Sequence, residues 1–223
     1  MLVERSEVQI PMGAAHLHGL LAIPRQATGL VIFAHGSGSS RFSVRNQQVA
    51  RNLNDYGIAT LLFDLLSADE ALIDARDGRF RFNIALLSHR LVLATRWAQR
   101  HPSTSQLRIS YFGASTGAAG AIMAAAEMPE TIASVVSRGG RVDLAGISAL
   151  HELRAPLLMM VGSLDEEVIE LNRMAIKELK VNHELDLIDG ATHLFEEPGT
   201  LEQVADHAAA WFLKNFALAR TSH

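Results

Sequence analysis

The chain has 223 residues, 48% of them hydrophobic and 20% charged, with a formal net charge of −4. That length suits one domain, residues 1–223, with a large core, and the balance of charge excludes a basic nucleic-acid surface or a long charged tail. There is no cysteine, which excludes a disulfide framework, a thiolate nucleophile and a cysteine zinc site.

The start, Met1-Leu2-Val3-Glu4-Arg5, lacks the basic and apolar regions of a signal peptide. Apolar runs such as Ile58 to Leu66 are too short to cross a bilayer. A cytoplasmic protein is expected. Glu7 to Met12 and Ala15 to Ile23 read as two antiparallel strands joined at Gly13. His16 and His18 share a face of the second by period two, and read as surface residues rather than metal ligands. Gly29 to Ala34 is a wholly apolar strand, the pattern of one buried on both faces. It runs into His35-Gly36-Ser37-Gly38-Ser39-Ser40-Arg41. A dinucleotide fingerprint fails here because Arg41 stands where the third glycine belongs. A loop that presents the Ser37 amide to a developing oxyanion fits better.

Ser43 to Tyr56 has helical periodicity, with Val44, Val49, Leu53 and Tyr56 on one stripe and Gly57 as its stop. Ala59 to Leu65 is a further buried strand, and Asp64 at its end suits a carboxylate that binds loop amides. Ser67 to Phe82 reads as a polar connection without periodicity, carrying Arg76, Arg79 and Arg81. Asn83 to Gln99 is an amphipathic helix, and Leu107 to Phe112 a strand.

That strand leads into Gly113-Ala114-Ser115-Thr116-Gly117, a G-x-S-x-G, and then a small-residue helix from Thr116 to Met128. The pattern has a mechanical basis. A serine raised on a sharp strand-to-helix turn needs tiny residues two before and two after it, because the backbones nearly touch there. Ile132 to Ser137 is the next strand, followed by Arg138-Gly139-Gly140-Arg141-Val142-Asp143. The interval to the strand Pro156 to Val161 holds one short helix and no cap domain. Then come Gly162-Ser163-Leu164-Asp165, a helix from Glu167 to Leu179, a strand from His183 to Ile188, Gly190-Ala191-Thr192-His193, and a helix from Gly199 to Ala219.

Alternating strands and helices predict an α/β fold: a doubly wound, mostly parallel sheet with helices on both faces. Sites in such sheets lie outside the carboxyl ends of the strands. The loops at that edge hold Ser37, Ser115, Arg138, Asp165 and His193. A serine hydroxyl needs a base, histidine supplies one near neutral pH, and a carboxylate orients the imidazole. Ser115, Asp165 and His193 follow the chain order nucleophile, acid, base. Asp143 is the rival acid, whereas Glu166 and Glu167 suit a first helical turn. The Ser37 and Thr116 amides are the candidate oxyanion donors.

These segments resemble the α/β-hydrolase superfamily, and within it the cap-less dienelactone-hydrolase-like family. The matching residues are His35-Gly36-Ser37-Gly38, Gly113 to Gly117, Gly162 to Asp165 and Gly190 to His193. The resemblance implies hydrolysis of small carboxylic esters or lactones through an acyl-enzyme, without cofactor or metal. The expected partner is a small-molecule substrate, with no nucleic acid and no membrane. Dienelactone hydrolases have cysteine as nucleophile; Ser115 points instead to a serine carboxylesterase. Arg41, Arg79, Arg81 and Arg138 are candidates to bind an acidic group on the substrate. Two other readings are a nucleotide-dependent oxidoreductase, with Gly113 to Gly117 as cofactor loop, and a non-catalytic binding protein. Neither Tyr56 nor Tyr111 begins the Y-x-x-x-K that would favour the oxidoreductase.

Overall fold

A computed structural model describes residues 2–218. Eight strands, β1 (Val3–Met12), β2 (Ala15–Pro24), β3 (Gly29–Ala34), β4 (Ala59–Phe63), β5 (Arg108–Ala114), β6 (Ile132–Arg138), β7 (Leu157–Gly162) and β8 (His183–Ile188), form one sheet. Their order is β1-β2-β4-β3-β5-β6-β7-β8. β1 pairs antiparallel with β2, and β2 antiparallel with β4. All the remaining pairs are parallel. The helices are α1 (Val44–Asp55), α2 (Ala68–Asp77), α3 (Ile84–Ala98), α4 (Thr116–Glu127), α5 (Gly146–Glu152), α6 (Glu166–Ile176) and α7 (Thr200–Leu218), with a 3-10 turn over Val142–Ala145.

The strands are apolar on both faces because helices cover both. Leu30 and Ile32 of β3, Ile109 and Tyr111 of β5, and Leu157 and Met159 of β7 pack with α3, α4 and α5. The intervening Val31, Phe33, Phe112, Leu158 and Met160 pack with α1 and α7. Each buried side chain of this kind contributes roughly 1.5–3 kcal/mol relative to exposure. Inside the core, Tyr111 Oη and Thr95 Oγ1 lie 2.6 Å apart and satisfy each other. Between β6 and β7 stand the 3-10 turn and α5, and no cap domain. Among the described residues no helix is long and apolar enough to cross a membrane.

Two local expectations need correction. The segment 67–82 is not an irregular connection: most of it is α2. Its start is a capping box, in which Ser67 Oγ accepts from the Glu70 N–H at 3.3 Å and Glu70 Oε2 accepts from the Ser67 N–H at 2.8 Å. Gly78, with φ 67°, ends it in the left-handed conformation. Apolar periodicity missed the helix because Leu72 and Ile73 face solvent and only Asp74 is buried. In α1 the buried stripe is Asn46, Val49, Ala50, Leu53 and Asn54. Val44 and Tyr56 are exposed, because the first turn tilts its polar Asn46 inward instead. Ala219, the expected end of the last helix, lies outside the described residues.

Candidate active site

β5 delivers Ser115 to the carboxyl edge of the sheet on a sharp turn. Ser115 has φ 51° and ψ −123°, a conformation that L-residues hold only under strain. The turn is held from outside: Ser115 N–H donates to Arg138 O at 3.2 Å, and Arg141 N–H donates to Ser115 O at 3.1 Å. The flanking glycines are obligatory on steric grounds. A Cβ on Gly113 would lie 2.4 Å from Ala118 Cα, and one on Gly117 would lie 2.3 Å from Ala34 O.

Asp165 follows β7 and caps α6, while His193 lies in the loop after β8. His193 Nδ1 and Asp165 Oδ2 are 2.6 Å apart. A carboxylate only accepts, so Nδ1 carries the proton and Nε2 is left free to take one. The rival acid is engaged elsewhere, since Asp143 accepts from Arg141 Nε at 2.9 Å and Nη2 at 2.8 Å.

Ser115 and His193 line one small cavity of about 180 Å³, together with Gly36, Ser37, Arg45, Asn46, Arg138 and Leu194. No hydrogen bond joins Ser115 Oγ to His193; such bonds commonly tighten when substrate arrives. The Ser37 and Thr116 amides are not engaged by any main-chain carbonyl in the surrounding loops. A larger cavity of about 470 Å³ opens on the other side of the 36–39 loop, walled by His18, Leu65, Ala71, Ala75 and Leu87 among others.

His35 pins the loop between these cavities. Its Nε2 accepts from the Leu65 N–H at 3.1 Å, so its proton is on Nδ1, 2.9 Å from Gly36 O. Burial pushes the imidazole below its ordinary pKa and keeps it neutral, more than offsetting the Gly36 bond and the Asp64 charge.

The four candidate arginines fare differently. Arg41 is paired with Asp64, which also accepts its main-chain N–H at 2.8 Å. Arg79 sits at the surface, 2.5 Å from Asp77, away from both cavities. Arg81 lines the larger cavity but is held by Asp74 at 2.7 Å. Desolvation would raise the Asp74 carboxyl, yet the Arg81 and Phe80 amides and the Arg81 guanidinium hold it below the usual range. Arg138 alone of the four reaches the cavity of Ser115 without an acid beside it. Sequence reasoning missed Arg45, Asn46 and the bridging role of His35, since nothing in a helix's first turn marks it as facing a pocket whose nucleophile comes two strands later in the chain. No group of residues able to hold a metal ion is present among those described.

An eight-stranded, mostly parallel sheet with a serine on a strained elbow at its carboxyl edge defines an α/β-hydrolase fold. Residues 17–217 match the dienelactone hydrolase family, and the chain belongs to it. A dienelactone hydrolase structure from Anabaena variabilis superposes with a TM-score of 0.93 at 50% identity, covering 95% of this chain and 98% of that one. Est1E from Butyrivibrio proteoclasticus, bound to ferulic acid, shares the fold at 19% identity, with a TM-score of 0.80 over 94% of this chain and 99% of its own. A protein of Mycobacterium tuberculosis, named as a candidate phosphoribosyl transferase, is 49% identical over 93% of this chain. The chain spans about half the length, 46%, of that relative.

Proposed function

We propose that the chain is a serine hydrolase of small carboxylic esters or lactones, acting through an acyl-enzyme. One observation carries this: Ser115, raised on a strained elbow, shares a cavity with a histidine whose Nδ1 lies 2.6 Å from Asp165. His193 Nε2 takes the Ser115 proton as Oγ attacks the carbonyl carbon. The resulting oxyanion is received by the Ser37 and Thr116 amides, main-chain donors fixed before the reaction begins. The C–O bond to the leaving group then breaks, and His193 returns the proton to that oxygen. Water, deprotonated by the same histidine, attacks the acyl-enzyme and frees Ser115. Asp165 holds the imidazole in the required tautomer and stabilises the imidazolium.

The oxidoreductase reading loses its footing, because Gly117 packs against the Ala34 and His35 carbonyls and leaves no room for a phosphate there. The proposed substrates are small, since the cavity at Ser115 holds only about 180 Å³, and Arg138 is the proposed residue for an acidic group on them. A cytoplasmic location, with no cofactor, completes the proposal. Labelling by a fluorophosphonate probe is the direct test. The probe should attach to Ser115 in the wild type and leave Ser115→Ala unmodified, with ester turnover in that variant lower by at least about 10³-fold. An unlabelled wild-type protein would support a non-catalytic binding role instead.

A further inference from the structure

The oxyanion donors are main-chain groups, so what sets their direction lies behind them. Ser115 C=O and Thr116 N–H belong to one planar peptide and point opposite ways. Ser115 O accepts from the Ala118 N–H at 3.1 Å and from the Arg141 N–H at 3.1 Å. Fixing that oxygen fixes the direction of the Thr116 N–H. The Ala118 bond is internal to the turn that opens α4. The Arg141 bond comes from outside it, and its peptide is held at the other end too. Gly140 C=O and Arg141 N–H form that peptide, and Gly140 O accepts from Asn172 Nδ2 at 2.9 Å. Three groups stand in series: the Asn172 amide, the Gly140–Arg141 peptide and the Ser115–Thr116 peptide. Each donates to the next carbonyl, and hydrogen bonds in such a chain polarise one another by about 10–30% per bond.

Asn172 is a costly residue at its position. It is fully buried in α6. Its Nδ2 also donates to Val168 O, one turn back, at 2.8 Å, so two carbonyls require the nitrogen to face them. Its Oδ1 has no partner among the described residues, which costs about 1–3 kcal/mol and which leucine, of similar size, would avoid. Packing alone would therefore favour an apolar side chain. The peptide that Asn172 holds is wedged between β6 and α4. A Cβ on Gly140 would overlap Ser137 Oγ and lie 2.6 Å from Ala118 Cβ. One residue earlier, the Gly139 N–H donates to Met160 O at 2.7 Å.

We propose that Asn172 is a positioning residue for the oxyanion hole: from α6 it orients and polarises the Thr116 amide through the Gly140–Arg141 peptide. It touches no reacting atom. This rests on the serine-hydrolase reading above. Asp165 caps the same helix, so α6 holds both the acid that orients His193 and the amide that steadies an oxyanion donor.

Two esters that differ in one atom test it, p-nitrophenyl acetate and its thionoester, with C=S in place of C=O. Sulfur is a weak hydrogen-bond acceptor, so the thionoester draws little on the oxyanion donors. Acylation is read as p-nitrophenol release in the first turnover. Loss of a whole donor costs about 10²–10³-fold, and weakening one through Asn172→Leu should slow the oxoester about tenfold at saturation, with substrate binding unchanged. The thionoester should slow by less than about threefold, and the acid limb of the pH–rate profile should keep its midpoint. If Asn172 only supported α6, Asp165 and His193 would shift together. Both esters would then slow equally, and that result, or no slowing in either, overturns the proposal. Asn172→Ala removes the same donor and keeps the test open if Asn172→Leu does not fold. Failure of the hydrolase reading is separately visible as no p-nitrophenol release from either ester by the wild type. Hydrogen exchange then decides the relay. Exchange at the Arg141 amide, relative to the amides of β3, at least about tenfold faster in Asn172→Leu supports it, and an equal ratio overturns it.

Discussion

The two cavities that meet at the 36–39 loop differ in one arginine. In the larger one, Arg41 and Arg81 are neutralised by Asp64 and Asp74. Asp74 also accepts the main-chain N–H groups of Phe80 and Arg81 at 2.8 and 2.9 Å. These pairs build a wall: they fasten the end of α2 to the chain that follows and hold the 35–41 loop against β4. In the smaller cavity Arg138 has no acid at all. Arg45 in the smaller cavity is paired with Glu196 at 2.8 Å, so the contrast is confined to Arg138, which the fold leaves without a counter-charge. An arginine count in the sequence cannot separate these roles, because the difference lies in which carboxylate the fold brings within reach.

The largest effect on this comparison is expected at the loop dividing the cavities. Gly36→Val would place a Cβ 3.2 Å from Ser115 Cβ and 3.4 Å from Ala114 O, with further branches beyond it. Moving the Ser37 amide should lower kcat by about 10²-fold, the scale seen when one oxyanion donor is lost. Ser37→Ala keeps the amide and should stay within a few-fold of wild type. Equal losses in both variants, measured with one short ester, would assign Ser37 a side-chain role.

A second comparison is thermal. Arg81→Ala strands Asp74, nearly inaccessible to solvent, without its cation, and should destabilise by about 1–3 kcal/mol. Arg138→Met removes a buried cation without a partner acid and should stabilise, since an apolar replacement at such a site is worth about 1–4 kcal/mol. For a chain of this size each kcal/mol moves Tm by about 2–4 °C. Melting curves should therefore shift in opposite directions, and a fall in Tm for Arg138→Met would mark it as part of the scaffold.

The smallest effect belongs to His35. Its folded pKa lies below the ordinary 6.5, so below that pH the unfolded chain binds more protons than the folded one. Its contribution to stability is present in full above pH 6.5 and is lost as pH falls from there towards the folded pKa. The slope is at most about 1.4 kcal/mol per pH unit for one proton. Chemical denaturation between pH 7 and 5 should show this slope in wild type and a shallower one in His35→Gln.

What the sequence determined by itself was the alternation of elements and the chain order of the site residues. Continuous apolar runs such as Gly29–Ala34 need two covered faces, and a G-x-S-x-G after a strand permits few backbones other than an elbow. Chain order admits Asp143 as well as Asp165, and it took the contacts to His193 and Arg141 to show where each carboxylate goes. The Ser67-x-x-Glu70 capping box and Gly78 mark α2 in the sequence, but apolar periodicity overlooks a helix whose one buried residue is an aspartate. The different fates of four arginines were beyond any one-dimensional reading. Arg41 meets a carboxylate 23 positions away in sequence and Arg81 one 7 positions away, while Arg138 meets an asparagine 92 positions away and no acid. Charge pairing is decided by distances of a few ångströms across the packed loops of a sheet edge, and those distances exist only once β3 to β8 have assembled.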